Sequence, residues 1–162
     1  MGKLILASAS PRRKELLSLT GLPFIVIPGN GEEVIRTSDP AEAVEALSME
    51  KAEAVCGRAD EEDVIIGADT VVALDSRILG KPANEEEAFS MLKRLQGREH
   101  AVYTGVTVLK KGKPLERVTF SEKTMVHVLP MTDEEILDYI ATGEPMDKAG
   151  AYGIQGLSLI HI

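Results

Sequence analysis

Residues Val64–Leu74, with the sequence VIIGADTVVAL, predict a β-strand buried on both faces, because the run is almost entirely apolar and rich in β-branched residues. One carboxylate, that of Asp69, interrupts it. Because an unpaired buried carboxylate is costly, we expect Asp69 at an end of the strand or beside a cation. Gly67 and Ala68 have almost no side chain, so backbone or a ligand can come close. Such an acid can hold a metal ion or a water, and it can equally cap a neighbouring turn.

The composition is that of a soluble globular chain with room for one domain. Its 162 residues suffice for a hydrophobic core, and 44% hydrophobic with 27% charged residues is a usual globular balance. The formal net charge of −8 argues against a nucleic-acid polymer or an anionic membrane surface as partner. The single cysteine, Cys56, fits a reducing compartment, and no stretch approaches the ~20 apolar residues of a membrane helix. We therefore expect a cytoplasmic protein.

The N-terminal segment predicts a strand, a tight turn and a helix with basic residues in its first turn. The strand covers Leu4–Ala7, Ser10 is a natural N-cap and Pro11 suits the first helical position. Arg12 and Arg13 follow at once, where cations oppose the helix dipole. An anion held by backbone N–H groups and these two arginines would resolve the conflict, and a solvated basic turn is the alternative.

A second predicted helix starts at Asp39 and places a lysine on its apolar face. Its stripe contains Val44, Leu47 and Val55, and Lys51 falls on the same stripe. A lysine in this position either extends its amine to solvent or points it at an anion. The pattern alone leaves both readings open.

The rest of the pattern predicts two more helices and further strands. Capping-box residues open the helices, Asn84 with Glu87 and Thr132 with Glu135. The three histidines lie far apart and show neither zinc-ligand spacing nor a catalytic triad. The predicted elements are strands over Phe24–Ile27, His100–Leu109 and Leu115–Leu129, and helices that end at Gly97 and Gly143.

The segment Glu144–Gly156 alternates glycine with small and polar residues, which is typical of backbone that lies close to a ligand. Gln155 lies within it and offers an amide with one acceptor and two donors. Such an amide can recognise the edge of a nucleobase.

Together these segments resemble the Maf family of nucleoside triphosphate pyrophosphatases. The blocks follow the family's order from residue 3 to residue 156. They are Leu6-Ala7-Ser8-Ala9-Ser10-Pro11-Arg12-Arg13, Glu32-Glu33, Lys51-Ala52, Gly67-Ala68-Asp69-Thr70-Val71-Val72, Gly80-Lys81-Pro82, Thr104-Gly105-Val106 and Glu144 to Gly156.

The resemblance implies an α/β fold like that of the Maf and ITPase proteins, with a long mixed β-sheet, flanking helices and two lobes around a nucleotide cleft. It implies metal-dependent hydrolysis of a nucleoside triphosphate to the monophosphate and pyrophosphate. The match is closest to the branch that acts on dTTP and UTP, in which the residues matching Arg12, Thr70 and Gln155 are associated with the pyrimidine preference. One alternative is the sister branch that acts on 7-methyl-GTP. A non-catalytic nucleotide-binding regulator of cell division is another.

The same resemblance assigns the expected site residues. A triphosphate carries about four negative charges, and the leaving pyrophosphate gains more in the transition state. Arg12, Arg13, Lys51 and Lys81 are the cations expected to bind these charges, and Ser8 can donate to a phosphate oxygen. Mg²⁺ or Mn²⁺ is the expected cofactor, with Glu33 and Asp69 as its hard oxygen ligands. Asp69 is the expected catalytic residue, as proton acceptor, metal ligand or both.

The chain departs from the family at its C-terminal end. Residues Leu157–Ile162, with the sequence LSLIHI, do not resemble the strand and helix that follow Gly156 in the family. We therefore expect a single Maf-like domain over residues 1–162 that is truncated at the C-terminus. The expected partner is a small nucleoside triphosphate rather than a nucleic acid polymer or a membrane, and a homodimer is left open.

Overall fold

The computed structural model describes residues 2–29, 31 and 33–157. In that part of the chain, four α-helices are interspersed among six β-strands, which confirms the predicted α/β class. Helices α1 to α4 span Pro11–Ser18, Pro40–Cys56, Glu85–Leu95 and Asp133–Ala141. Strands β1 to β6 span Leu4–Leu6, Phe24–Val26, Val64–Leu74, Arg77–Leu79, Glu99–Lys110 and Glu116–His127. None of these helices is long and apolar enough to cross a membrane.

The strands form one mixed sheet, as the resemblance implied. Its order is β2-β1-β3-β5-β6, and β4 pairs with β3 outside this path. Strand β1 runs parallel to both neighbours, with Leu4 opposite Phe24 on β2 and Val64 on β3. Strand β4 runs antiparallel to β3, with Leu79 opposite Val72. Strand β3, which carries Asp69, therefore lies between β1 and β5 and is hydrogen-bonded to both.

The chain divides by its internal contacts into two compact units, and the division falls within β3, between Asp69 and Thr70. The prediction of one domain over residues 1–162 stays a prediction, and residues 158–162 of the atypical C-terminal segment lie outside the described residues. The first unit comprises Met1–Thr37, Ala41–Asp69 and Thr104–Glu122, and the second comprises Ser38–Pro40, Thr70–Tyr103 and Lys123–Ile162.

The core of the first unit lies where α2 packs on β1 and β3. Ile5 and Ile65 are fully buried there. A Cβ on Gly67 would lie 2.3 Å from the carbonyl oxygen of Ser48 and 2.8 Å from the backbone nitrogen of Ala52. Helix α2 thus rests directly on the backbone of β3. The close approach predicted at Gly67 is present, and its partner is the helix.

The core of the second unit joins α3, α4 and the C-terminal half of β3. Apolar residues at helical spacing meet there, among them Leu92, Leu95, Ile136 and Ile140. The Thr132–Glu135 capping box is complete on α4, with both reciprocal hydrogen bonds present. On α3 the box is half formed, because Asn84 accepts from the backbone of Glu87 while the Glu87 carboxylate accepts from Ala83 instead.

The ends of the predicted strands agree with the structure to within one residue, except at the end of the last strand, and one strand was not predicted. The last strand ends at His127, two residues before the predicted end at Leu129. The short strand Arg77–Leu79 was not predicted, because three residues are too few to show a period of two. It forms a hairpin with β3 through Asp75 and Ser76, which both adopt positive φ.

Candidate active site

Asp69 lies in the interior of β3, and only 5% of its surface is exposed. The Lys51 ammonium lies 2.9 Å from its Oδ2, and the Arg13 guanidinium lies 3.8 Å from its Oδ1. We expected Asp69 either at a strand end or beside a cation, and the structure places it beside two cations. Two positive charges therefore lie beside the buried carboxylate and compensate its charge.

Lys51 connects this buried carboxylate to a second one. It lies on α2 between the buried residues Leu47 and Val55, and only 19% of its side chain is exposed. Its ammonium also donates to Oε1 of Glu33 at 2.9 Å. Of the two readings left open by the sequence, the structure thus supports the one in which Lys51 points at anions. The carboxylates of Asp69 and Glu33 face the same ammonium.

Arg13 is held over the turn that follows β1. Its Nη1 donates to the hydroxyl of Ser8 at 3.3 Å, and the backbone N–H of Ser10 donates to the same oxygen at 3.2 Å. Ser8 is 6% exposed, so this hydroxyl lies at the buried end of the basic turn. Burial lowers the pKa of the Arg13 guanidinium, while the negative charges of Asp69 and Glu33 act in the opposite direction.

The basic first turn of α1 differs in detail from the sequence expectation. Ser10 occupies the N-cap with an extended backbone, but its side chain makes no capping hydrogen bond. Arg13 turns towards the protein's own carboxylate, whereas Arg12 is exposed to solvent. The unfavourable dipole placement of Arg13 is therefore offset within the protein itself. An external anion at this turn stays a prediction.

A pocket of about 40 Å³ lies beside the Lys51–Glu33 pair. Gly29 packs on α2 at its edge, since a Cβ there would lie 2.9 Å from the carbonyl oxygen of Lys51. A volume of this size accommodates an ion or a water. The lining residues are Gly29, Gly31, Glu33, Leu47, Glu50, Lys51 and Ala54.

Three predicted substrate-binding residues belong to the second unit. Thr70 follows Asp69 on β3 and is half-buried. Lys81 follows β4 and is exposed, and Gln155 is exposed in the loop after Tyr152. The roles of these three residues in nucleotide binding stay predictions. Ser8, Arg13, Glu33, Lys51 and Asp69 are the predicted residues that the structure brings together.

The glycine-rich segment divides into a packed part and an exposed part. Gly150 has a φ of 70° and a Cβ there would lie 3.0 Å from the side chain of Val72, so its freedom serves packing inside the second unit. Ala151 and Tyr152 are buried beside it. Residues 154–157 are exposed, and they are the part of the segment to which the expectation of a ligand still applies.

A buried pair that the sequence did not predict lies in the second unit. Nε2 of His100 hydrogen-bonds the hydroxyl of Tyr152, with the two rings edge to face at 5.3 Å between centroids. Burial lowers the pKa of the His100 imidazole and raises that of the Tyr152 phenol. No spacing rule links residues that lie 52 positions apart, so no sequence signal could have found this pair. The contact anchors the glycine-rich segment to β5.

Comparisons with known proteins agree with the resemblance read from the sequence. Residues 3–162 match the family described as Maf-like protein. A dTTP/UTP pyrophosphatase of Bacillus cytotoxicus is 53% identical over 163 residues, covering all of this chain and 83% of the relative. The enzyme of the same name from Agathobacter rectalis is 49% identical over 177 residues, covering all of this chain and 86% of the relative.

Solved structures support the fold. The Staphylococcus aureus Ham1 protein superposes with a TM-score of 0.52 at 14% identity, over 78% of this chain and 71% of that one. A nucleoside-triphosphatase, or dITP/XTP pyrophosphatase, from Mycobacterium abscessus gives 0.51 at 13% identity, over 78% and 74%. At these identities the likeness concerns the fold alone. The family match over nearly the whole chain and the relatives of about half identity together show that this chain belongs to the Maf-like protein family.

Proposed function

We propose that this chain is a nucleoside triphosphate pyrophosphatase that hydrolyses dTTP and UTP to the monophosphate and pyrophosphate. The observation that carries the proposal is the buried carboxylate of Asp69, held 2.9 Å from Lys51 on a core strand. The names of relatives about 50% identical to the chain support the choice of dTTP and UTP. The net charge of −8 favours a free nucleotide over a polymer, and we expect the protein to act in the cytoplasm.

Asp69 is the proton acceptor in this mechanism. Its carboxylate takes a proton from a water molecule as the water oxygen attacks the α-phosphorus, and pyrophosphate leaves with the electrons of the broken P–O bond. The contacts with Lys51 and Arg13 hold the carboxylate in one place, so it does not have to be ordered during the reaction.

The neighbouring cations bind the triphosphate and stabilise the charge that develops on the leaving group. Arg13 and Lys51 are placed for this beside Asp69, and the exposed side chains of Arg12 and Lys81 are expected to bind phosphate as well. The Ser8 hydroxyl accepts from Arg13 and Ser10, which leaves its own proton to donate to a phosphate oxygen. These residues explain why an acidic protein carries basic motifs.

The carboxylates of Glu33 and Asp69 fit a divalent metal ion of the Mg²⁺ or Mn²⁺ type. Residues 2–29, 31 and 33–157 contain no cluster of three or more histidine, cysteine, aspartate or glutamate side chains that could hold a metal. Mg²⁺ does not require one, because it usually binds one or two carboxylates and completes its shell with waters and substrate phosphates. Glu33 and Asp69 face one common point, the Lys51 ammonium. An ion held by these two carboxylates would take the place of the ammonium between them, and it would neutralise phosphate charge.

The experiment that tests the proposal measures pyrophosphate release from dTTP, UTP, CTP and 7-methyl-GTP with Mg²⁺ or Mn²⁺ present. Turnover of dTTP and UTP well above the other two is the expected result. Faster turnover of 7-methyl-GTP would assign the chain to the alternative substrate. Tight nucleotide binding without pyrophosphate release would favour a regulatory protein. Protein carrying Asp69→Asn, purified in the same way, corrects for contaminating phosphatases.

Gln155→Ala is expected to reduce the preference for UTP over CTP more than it lowers the rate on either substrate. Uracil presents a carbonyl acceptor beside an N3–H donor, which one primary amide can match, whereas cytosine presents the reverse pattern. A mismatched polar pair costs about 1–3 kcal/mol, so the unmodified protein should prefer UTP by roughly ten- to a hundredfold. The measurement is the ratio of the two kcat/KM values.

The matched control for Gln155 is its exposed neighbour, Ile154→Ala, which should leave that ratio unchanged. Equal losses on UTP and CTP in Gln155→Ala would mean that the residue only braces its loop. An unchanged ratio would refute the base-reading role.

A further inference from the structure

The loop that carries Gln155 is tied to the carboxylate of Glu144. The backbone N–H of Leu157 donates to Oε2 of Glu144 at 3.2 Å. The other oxygen, Oε1, accepts from the hydroxyl of Tyr139 at 3.1 Å. Tyr139 is itself 6% exposed and belongs to the core of the second unit. The loop is thus connected through one carboxylate to a side chain whose position is fixed by packing.

The residue directly after Gln155 also lies against this carboxylate. Gly156 has a φ of 99°, which L side chains rarely adopt. A Cβ at this position would lie 2.7 and 2.8 Å from the two oxygens of Glu144. The backbone therefore passes over the carboxylate at a distance that only glycine permits. Both residues that follow Gln155 are in contact with Glu144.

The other side of the loop rests on Lys148, which is bound to the same glutamate. A Cβ on Gly153 would lie 3.0 and 3.2 Å from the Cδ and Cε atoms of Lys148. The Lys148 ammonium donates to the backbone carbonyl of Glu144 at 2.6 Å and to Asp147 at 2.8 Å. Only 11% of this lysine side chain is exposed. Glu144 and Lys148 thus support the backbone on both sides of Gln155.

We propose that Glu144, braced by Tyr139, is a positioning residue for base selection, because it fixes the backbone from which the Gln155 amide extends. The inference rests on the proposed base-reading role of Gln155. A fixed backbone places the amide where groups around a bound base can hold it in one donor–acceptor order, and a base with the opposite order is then left with unmatched groups. An amide on a loose loop can turn over and satisfy either base. Releasing the loop should therefore lower the preference for UTP over CTP more than it lowers the rate of hydrolysis.

The test compares kcat/KM for UTP and CTP in a double-mutant cycle. Glu144→Ala should lower the UTP/CTP ratio towards that of Gln155→Ala, mainly through a higher KM for UTP. The double variant Glu144→Ala/Gln155→Ala should match Gln155→Ala, because Glu144 acts through the amide. Tyr139→Phe removes only the hydroxyl that holds the carboxylate, and a smaller drop in the ratio, about two- to threefold, is expected from the loss of one hydrogen bond.

Four outcomes would overturn the inference or its premises. A wild-type ratio in both Glu144→Ala and Tyr139→Phe, with Gln155→Ala still lowering it, would show that Glu144 does not position the amide. Equal losses on both nucleotides would assign Glu144 a structural role only. A wild-type protein that hydrolyses UTP without preferring it to CTP would overturn base reading, and one that hydrolyses neither would overturn the proposed function. If Glu144→Ala does not fold, judged by its thermal melt, the nearly isosteric Tyr139→Phe decides the question.

Discussion

Replacing Asp69 by asparagine is expected to lower kcat on dTTP and UTP by about 10²–10⁴-fold, the usual effect of losing a positioned proton acceptor. Asparagine has nearly the same shape, so packing within β3 should be kept. The amide carries no negative charge and cannot take the proton of the attacking water. The substitution removes a negative charge that lies beside Lys51 and Arg13. These two cations should therefore still bind the triphosphate, and its affinity should be retained.

The measurements are steady-state kcat and the Kd of a UTP analogue with a non-hydrolysable α,β-bridge. Asp63→Asn is the matched control, because Asp63 is also buried, at 2%, and lies just before the same strand. Its carboxylate accepts from the backbone N–H groups of Lys3 and Asp60, which lower its pKa, so its role is structural. The control should melt at a lower temperature and keep its kcat. An Asp69→Asn protein with more than half of the wild-type kcat would contradict the assignment.

Lys51→Met is expected to cause the largest loss of stability among the site variants. It removes the ammonium that lies 2.9 Å from the buried Asp69 carboxylate, while the guanidinium of Arg13 stays at 3.8 Å. Removing one partner of a buried ion pair costs about 3–5 kcal/mol, and the 19% exposure of Lys51 places the expected loss near the lower value, ~3 kcal/mol. Turnover should fall as well, because the same ammonium is expected to bind phosphate.

Urea unfolding measures this effect, and a second variant isolates it. Lys93→Met removes a lysine whose ion pair with Asp133 is exposed on both sides, so less than about 1 kcal/mol should be lost. Adding Asp69→Asn to Lys51→Met should restore part of the stability, since the buried negative charge is then gone. Equal stability of Lys51→Met and Lys93→Met would mean that the Lys51–Asp69 contact contributes nothing to folding.

The sequence predicts those elements of this protein that are determined by residues close together in the chain. The long apolar run of β3 and the complete capping box at Thr132 are local patterns, and both are present in the structure. At Lys51 the local pattern permitted two outcomes. Its partners, Glu33 and Asp69, are each 18 residues away, so only tertiary packing could decide between solvent and an anion.

Features that depend on distant residues or very short segments could not be predicted. Strand β4 is too short to show a period, and its pairing is fixed by the hairpin that joins it to β3. The His100–Tyr152 contact joins residues with no common motif. The contact of Gly156 with Glu144 depends on how the chain folds back after residue 144, which the glycine pattern alone does not reveal. In the candidate site, the acid and its strand could be predicted, whereas the contacts that compensate its charge could not.

Hydrolysis of UTP in ¹⁸O-labelled water tests the central claim most directly, because the label marks the phosphorus that water attacks. Attack at the α-phosphorus, with Asp69 as proton acceptor, places one labelled oxygen in the UMP and none in the pyrophosphate. The two products should form in equal amounts, without orthophosphate. Label in the pyrophosphate, or formation of UDP with labelled orthophosphate, would contradict this mechanism.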